Sequence, residues 1–274
     1  MGLSAIVFPG QGSQTREMRD FVAEIRPDLL AAVTEAVGED PFARAEESTR
    51  FAQPAIFCAS IAGWEALGRP RGDFTAGHSL GEFGALVAAG ALQEHDGLEL
   101  VALRGRLMAE AGEGGMLALL GRGAADYAPA LADAHGLSVA NDNSPQQVVL
   151  SGAQDLLPGA LAAATELGLR AVELPVTGAF HSPMMAPAVP EFAAALELVD
   201  VAPAGVPVIS AVTAAPFGDV RSELVQALTA PVRWREVLLA LHERGVDRFV
   251  EVGPGRVLTG LAKRTLRDVE LVNA

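Results

Sequence analysis

The segment Thr75-Ala76-Gly77-His78-Ser79-Leu80-Gly81-Glu82 sets a serine between two glycines, each two positions away. This is the G-x-S-x-G form of a nucleophile elbow, in which a strand ends, the chain turns sharply and a helix begins with the serine at the apex. Side chains at the flanking positions would clash across such a turn, so Gly77 and Gly81 are what the geometry requires. The chemistry it serves is attack of an exposed hydroxyl on a carbonyl carbon. The N–H of Leu80, at the start of the following helix, can then receive the negative charge that develops on the carbonyl oxygen. Taken alone, five residues of this form also occur between an ordinary strand and helix.

A serine hydroxyl needs a base, and there are five histidines. His78 adjoins the serine in sequence, so its side chain is expected to point away from the line of attack. His95, His135 and His242 have polar neighbours and read as solvated residues on turns or helix ends. His181 differs: it lies in Val176-Thr177-Gly178-Ala179-Phe180-His181-Ser182-Pro183-Met184-Met185, where one block of chain hands over to another, and clefts form at such junctions. A second N–H for an oxyanion can come from Gly10-Gln11-Gly12-Ser13-Gln14, since loops at the carboxyl ends of parallel strands line the crevice of an open α/β sheet. That segment is not G-x-G-x-x-G, because position 15 is Thr, and it lacks the lysine of a Walker loop; a simple tight turn is the other reading. Cys58, the only cysteine, sits in the mostly apolar run 55–61 and reads as a core filler.

Strand and helix patterns alternate around these residues. A strand is expected at 5–8, helices at 18–25 and 28–37, and an apolar helix at 53–67 with Pro54 in its first turn, where proline is tolerated. A strand at 73–76 leads into the elbow, followed by helices at 81–89 and 98–111, the latter carrying Arg104 and Arg106. After Gly112-Glu113-Gly114-Gly115 the rhythm changes. Strands at 116–120, 137–141, 147–150 and 170–176, with helices at 123–134 and 156–167, give the order β-α-β-β-α-β of a ferredoxin-like unit. The expected fold class is α/β. An α/β-hydrolase-like large subdomain with a mostly parallel sheet spans 1–112 and 179–274, and a ferredoxin-like small subdomain spans 113–178. The large part resumes with a helix at 184–196, a strand at 206–212, helices at 221–228 and 235–244, a strand at 248–252 and a last helix after Gly253-Pro254-Gly255.

Composition narrows the function. A chain of 274 residues, half of them hydrophobic, can bury a large core in one or two domains. A net charge of −14 argues against nucleic acid as the main partner, which needs clustered Lys and Arg. Lys263 is the only lysine, so anion recognition falls to arginine, whose planar fork suits a carboxylate or phosphate. The opening apolar run is short, lacks a basic lead and ends at Pro9, so it reads as a buried strand and not a signal peptide. No segment approaches 18 apolar residues, which excludes a membrane-spanning helix, and a lone cysteine points to a reducing cytoplasm. No metal-ligand spacing or nucleotide loop is present.

Read in order, Phe8-Pro9-Gly10-Gln11-Gly12-Ser13-Gln14, Gln53-Pro54-Ala55, Gly77-His78-Ser79-Leu80-Gly81-Glu82, Arg104-Gly105-x-x-Met108, Asn143-Ser144-Pro145-x-Gln147, Phe180-His181-Ser182 and Glu251-Val252-Gly253-Pro254-Gly255 cover nearly the whole chain. In this order they resemble the malonyl-CoA:acyl-carrier-protein transacylases of bacterial fatty-acid synthesis and the related acyltransferase domains of polyketide synthases. The resemblance implies that Ser79 takes the malonyl group as an ester, and that His181 is first general base and then acid. It implies that the N–H groups of Gln11 and Leu80 hold the oxyanion, that Arg104 pairs with the malonyl carboxylate and that Gln53 lines the same pocket. Phe180, with Leu80, would favour malonyl over methylmalonyl by crowding a branch on Cα, although one methylene is worth only about 1–3 kcal/mol. The histidine would be oriented by a backbone carbonyl from the turn 231–234, that of Arg233, which accounts for the lack of a convincing third acid between Ser79 and His181. Malonyl-CoA is the implied donor and acyl carrier protein the implied acceptor, with no permanently bound cofactor and no metal. Three rivals stay open: a hydrolase using the same pair, a malonyl transferase of a polyketide or malonate decarboxylase system, and a non-catalytic docking module. Carrier proteins in this role are acidic, so docking would use a basic patch such as Arg256, Lys263, Arg264 and Arg267; those residues could equally form a solvated helix face.

Overall fold

In the computed structural model, which describes residues 2–273, the apolar run near the start of the chain becomes the middle strand of a sheet. β1 (Leu3–Phe8) is followed by α1 (Met18–Ile25), α2 (Pro27–Val37) and α3 (Thr49–Ala66), then by β2 (Phe74–Gly77), α4 (Gly81–Ala88) and α5 (Glu94–Glu110). Next come β3 (Gly115–Leu120), α6 (Ala124–His135), β4 (Ser138–Ser144), β5 (Gln147–Gly152), α7 (Leu157–Glu166) and β6 (Arg170–Glu173). The chain ends with α8 (Val189–Glu197), β7 (Val208–Ile209), α9 (Val220–Gln226), α10 (Trp234–Glu243), β8 (Val246–Glu251), α11 (Val257–Thr265) and β9 (Glu270–Asn273). Among the described residues no helix is long and apolar enough to cross a membrane.

Two sheets result. The first is wholly parallel, in the order β7-β2-β1-β8-β9. The chain works outward from β1 through β2 to β7, then returns to the other side of β1 with β8 and β9, so the order reverses at β1. In an open α/β sheet the crevice lies at such a reversal, among the loops that follow the strands. Trp234, Val237, Leu238, Leu241, Leu258 and Leu261, from α10 and α11, pack one face of this sheet; α3, α4 and α5 contribute to the core on the other. The second sheet is antiparallel, in the order β4-β5-β3-β6. Leu117 and Leu119 of β3 join the side chains of α6 and α7 in one cluster, while Met116 and Ala118, pointing the other way as a strand's period of two requires, belong to the core of the larger unit. The second sheet is also extended by a remote segment: Val232 lies beside Asn141, its N–H donates to the Ala140 carbonyl and its carbonyl accepts from Asp142 N–H, while Arg235 makes a two-toothed pair with the Asp142 carboxylate.

The structure corrects several sequence expectations. α3 begins at Thr49, not at 53, because the Ser48 hydroxyl caps it by accepting from the Arg50 N–H; Pro54 therefore stands in the second turn, where it has no N–H to offer the Arg50 carbonyl. The helix expected at 184–196 is a 3-10 turn (Pro183–Ala188) running into α8, in a stretch that carries Pro183, Pro187 and Pro190. The strand expected at 206–212 is only Val208–Ile209, since the chain doubles back and Ile209 bridges Pro216. β9 was not expected; it is short, and its pairing with β8 is visible only in three dimensions.

Candidate active site

The elbow forms as its glycines require. A Cβ at Gly77 would lie 1.9 Å from the Gly81 carbonyl carbon, and one at Gly81 would lie 2.1 Å from the Phe8 carbonyl oxygen. Between them Ser79 has φ of 53°, in the left-handed region. His181 has φ of 57°. Side chains other than glycine adopt this conformation at a cost of about 1–3 kcal/mol each, and such residues cluster at functional sites. The two meet: Ser79 Oγ is 2.9 Å from His181 Nε2.

The surrounding bonds fix which way the proton points. Arg104 Nη2 donates to Ser79 Oγ at 3.1 Å, so the hydroxyl accepts there and its own hydrogen is free for His181 Nε2. His181 Nδ1 lies 2.8 Å from the Ala227 carbonyl, which can only accept, so Nδ1 carries the ring hydrogen and Nε2 is the basic nitrogen. His181 is only 5% exposed. Burial, followed by the charges of Arg104 and His78, pushes its pKa down to about 3, against the raising effect of the Ala227 and Ala230 carbonyls. The imidazole is thus neutral and able to accept a proton.

The expectation that Arg233 supplies the orienting carbonyl is corrected: Ala227, the C-terminal cap of α9, does so. The backbone of 231–234 is engaged elsewhere. Val232 is bound to β4, the Arg233 N–H donates to the Ala211 carbonyl, and the Arg233 carbonyl accepts from Val237 N–H in the first turn of α10.

Arg104 and Gln53 come together because two helices approach closely. A Cβ at Gly105 would sit 2.8 Å from the Thr49 carbonyl oxygen and 3.2 Å from that of Arg50, the carbonyl that Pro54 leaves without its usual helical donor. With no side chain there, α5 lies against α3, and Arg104 Nη1 donates to Gln53 Oε1 at 2.7 Å. The Gln53 amide nitrogen in turn donates to Thr49 Oγ1 at 2.9 Å. Arg104 is 2% exposed, and among the described residues no carboxylate forms an ion pair with it. Burial pushes its pKa down to about 10, opposed by the charge of Glu82.

Gln11 follows β1 in a loop wedged beside the elbow. Its fold is held by Ser13 Oγ donating to the Gly10 carbonyl at 2.7 Å and by the Gly12 N–H donating to Gln14 Oε1 at 2.8 Å. A Cβ at Gly10 would lie 2.5 Å from the His78 carbonyl oxygen, and one at Gly255 would lie 2.8 Å from that of Ser13, so the turn 253–255 buttresses the loop from behind. Among the described residues the N–H groups of Gln11 and Leu80 have no protein acceptor, which leaves both free for a substrate oxygen. His78 points away from the nucleophile, as expected: its Nε2 is 2.7 Å from Asn143 Oδ1 on β4, and its ring meets the edge of Trp234. Phe180 is buried in the core shared by the two units, and its ring lies over Gly178. Arg256, Lys263, Arg264 and Arg267 are all exposed.

Residues 5–274 match the family described as acyl transferase domain. The chain is 39% identical, over 294 residues, to the malonyl CoA-acyl carrier protein transacylase of Synechocystis, covering 98% of this chain and 96% of that protein. The chain belongs to the malonyl-CoA:acyl-carrier-protein transacylase family. It is also 41% identical to the polyketide biosynthesis protein ThaF of Burkholderia thailandensis, where 97% of this chain matches but only 24% of the relative's length is spanned. Among solved structures, the acyl carrier protein S-malonyltransferase of Vibrio cholerae superposes with a TM-score of 0.89 at 37% identity, covering 99% of this chain and 96% of the other.

Against this transacylase background, the residues that sequence reasoning missed act through their backbone or at second hand. Ala227 contributes a carbonyl, for which any residue type would serve, so nothing in its identity marks it. Glu251, within the last of the seven motifs, accepts from the N–H groups of Leu258 and Thr259 at 2.9 and 2.7 Å and so anchors α11 behind the 253–255 turn. Asn143 stands out in the sequence only as part of a motif; its partner His78 is on the other unit.

Proposed function

We propose that this enzyme moves a malonyl group from CoA to the phosphopantetheine thiol of an acyl carrier protein by way of an ester on Ser79. The observation that carries the reading is Arg104: a buried guanidinium with no carboxylate in ion-pair contact, 3.1 Å from the nucleophile. A buried charge is costly unless paired, and an acyl group ending in a carboxylate supplies the missing partner. Two charge-assisted bonds of about 1.5–3 kcal/mol each would then favour malonyl over acetyl.

In the first half-reaction Ser79 Oγ attacks the thioester carbonyl carbon while its proton passes to His181 Nε2. The oxyanion is held by the N–H groups of Gln11 and Leu80. As the C–S bond breaks, the CoA sulfur takes the proton from Nε2. In the second half, Nε2 accepts the proton of the carrier thiol, whose sulfur attacks the ester, and returns it to Ser79 Oγ. Pairing of the malonyl carboxylate with Arg104 offsets the positive charge that depresses His181, so the base strengthens when this substrate is seated. Gln53 holds the Arg104 fork in place, and Phe180 restricts room beside Cα. The carrier's acidic surface would be met by Arg256, Lys263, Arg264 and Arg267, with Arg256 next to the turn that supports the Gln11 loop.

The strand orders support reading 1–112 with 179–274 as an α/β-hydrolase-like unit and 113–178 as a ferredoxin-like one. A single buried cysteine is consistent with work in the cytoplasm. The likeness to ThaF favours one variant of the reading, in which the acceptor is a polyketide carrier. Incubation with malonyl-CoA alone, followed by intact mass, tests the proposal. It predicts a malonyl adduct that is absent in Ser79→Ala and strongly reduced in Arg104→Ala; rapid release of free malonate with no adduct would indicate a hydrolase instead. Offering fatty-acid and polyketide carrier proteins to the loaded enzyme then separates the two acceptors.

A further inference from the structure

Thr49, the first residue of α3, has a hydroxyl that the reaction above leaves without a task. Thr34, Thr165 and Thr265, each further along its helix, turn their hydroxyls back to the carbonyl four residues before, at 2.7, 2.8 and 2.9 Å, a common resort of helical threonine. Thr49 has no earlier turn of helix to bond to. Its Oγ1 faces forward instead, to the residue four later on the same face, and accepts from Gln53 Nε2 at 2.9 Å. The same nitrogen donates to Met108 Sδ at 3.3 Å. Gln53 Oε1 accepts from Arg104 Nη1 at 2.7 Å, and Arg104 Nη2 reaches Ser79 Oγ at 3.1 Å. Thr49, Gln53, Met108 and Arg104 are all buried. Resting on the malonyl-transfer reading, we propose that Thr49 is a positioning residue for substrate choice: through Gln53 it holds the Arg104 guanidinium where the malonyl carboxylate has to meet it.

The amide of Gln53 has a donor end and an acceptor end, and its neighbours admit only one way round. A guanidinium only donates and a thioether only accepts, so Oε1 faces Arg104 and Nε2 faces Met108. A turned amide would set N–H against N–H and oxygen against sulfur. The sulfur settles the direction but is a weak acceptor. The Thr49 hydroxyl supplies the stronger of the two bonds, and with it both hydrogens of Nε2 are placed. The backbone brings the partners within reach: a Cβ at Gly105 would lie 2.8 Å from the Thr49 carbonyl oxygen, so α5 touches α3 at this residue and carries Arg104, next in sequence, to Gln53. An arginine side chain has much rotamer freedom to lose. Bonded at Nη1 to an amide that is itself held, the guanidinium is already in place when the carboxylate arrives. Thr49 acts at one remove, through Gln53, and contributes no reacting group.

An acyl group without a carboxylate makes no use of this arrangement, so the ratio between two donors isolates it, and any loss common to both cancels. The experiment is single-turnover acylation of Ser79 by subsaturating malonyl-CoA and, in parallel, acetyl-CoA, followed by intact mass. Thr49→Val, which has the same shape without the acceptor, should lower the malonyl-to-acetyl rate ratio by about three- to tenfold, the worth of one hydrogen bond. Thr49→Ser, which keeps the hydroxyl, should stay close to the wild-type ratio. In a Gln53→Leu background, where the ratio is already lowered, Thr49→Val should lower it no further, because residues acting along one line are not additive. An unchanged ratio in Thr49→Val, an equal loss in Thr49→Ser, or the full additional loss in the Gln53→Leu background overturns the inference while leaving malonyl transfer intact. Absence of any malonyl adduct in the wild type instead removes the reading on which it rests. Should Thr49→Val not fold, Thr49→Ala, whose side chain favours the helix, takes its place and the same outcomes decide.

Discussion

The parallel and antiparallel units of this enzyme differ in what their strand ends offer. In the parallel sheet every strand finishes on the same edge, so the loops after β1 and β2, which carry Gln11 and Leu80, lie side by side at the elbow. In the antiparallel sheet strands alternate in direction, so their ends do not converge on one edge, and none of the proposed reacting groups comes from it. Its part is support: Asn143 holds His78 behind the nucleophile, and its second face completes the core under Phe180. Chemistry gathers where the topology aligns unused backbone donors, and the other layer steadies that arrangement.

This division can be broken by experiment. Ser79→Ala should abolish the acyl-enzyme in an intact-mass assay, and His181→Ala should slow its formation by about 10²–10⁴-fold, the usual worth of a general base. Because the pKa of His181 is pushed down to about 3, wild-type acylation should hold its rate as pH falls through 6.5, where an ordinary histidine charges, and decline only as the lower value is approached; an acid limb centred near 6.5 would contradict the buried geometry. Arg104→Ala should lower kcat/KM for malonyl-CoA by about 10²–10⁴-fold, equivalent to two charge-assisted bonds, while sparing acetyl-CoA. A substitution on the supporting side should behave differently. Asn143→Ala leaves the half-buried His78 ring without its partner, so it should cost about 1 kcal/mol of stability in denaturant unfolding while changing the acylation rate less than about tenfold; a rate loss as large as that of His181→Ala would mean that the antiparallel unit shapes the transition state directly. Smallest of all, iodoacetamide should leave the native enzyme unlabelled and active, since Cys58 is fully buried and burial raises its thiol pKa.

How far the site could be read in advance depended on what kind of group each residue contributes. Ser79 was legible because the elbow needs two glycines at fixed spacing, and His181 because it stands at the hand-over between units. Arg104 read at first as one more arginine on an amphipathic helix; only the order of motifs gave it a role, and the close packing of α5 on α3 at Gly105 gives the role a mechanism. The orienting carbonyl was misplaced by a few residues, from Ala227 to Arg233, because a carbonyl leaves no trace in residue identity and the alternative uses of the 231–234 backbone, pairing with β4 and with Ala211, exist only in the fold. The α/β alternation was plain from the sequence. The early start of α3 is hidden in the sequence because Pro54 reads as a first-turn proline, whereas the Ser48 cap has already begun the helix.

The strand-like pairing of Val232 with β4 has a consequence for synthesis. The antiparallel unit is complete in sequence by β6, yet the outer edge of β4 finds its partner only when a segment well downstream has left the ribosome. Until then the nascent chain presents an uncovered strand edge, the kind of surface that recruits neighbouring chains. A product truncated before Val232 would therefore carry an intact second sheet with one sticky side, and its hazard would be aggregation as much as lost activity.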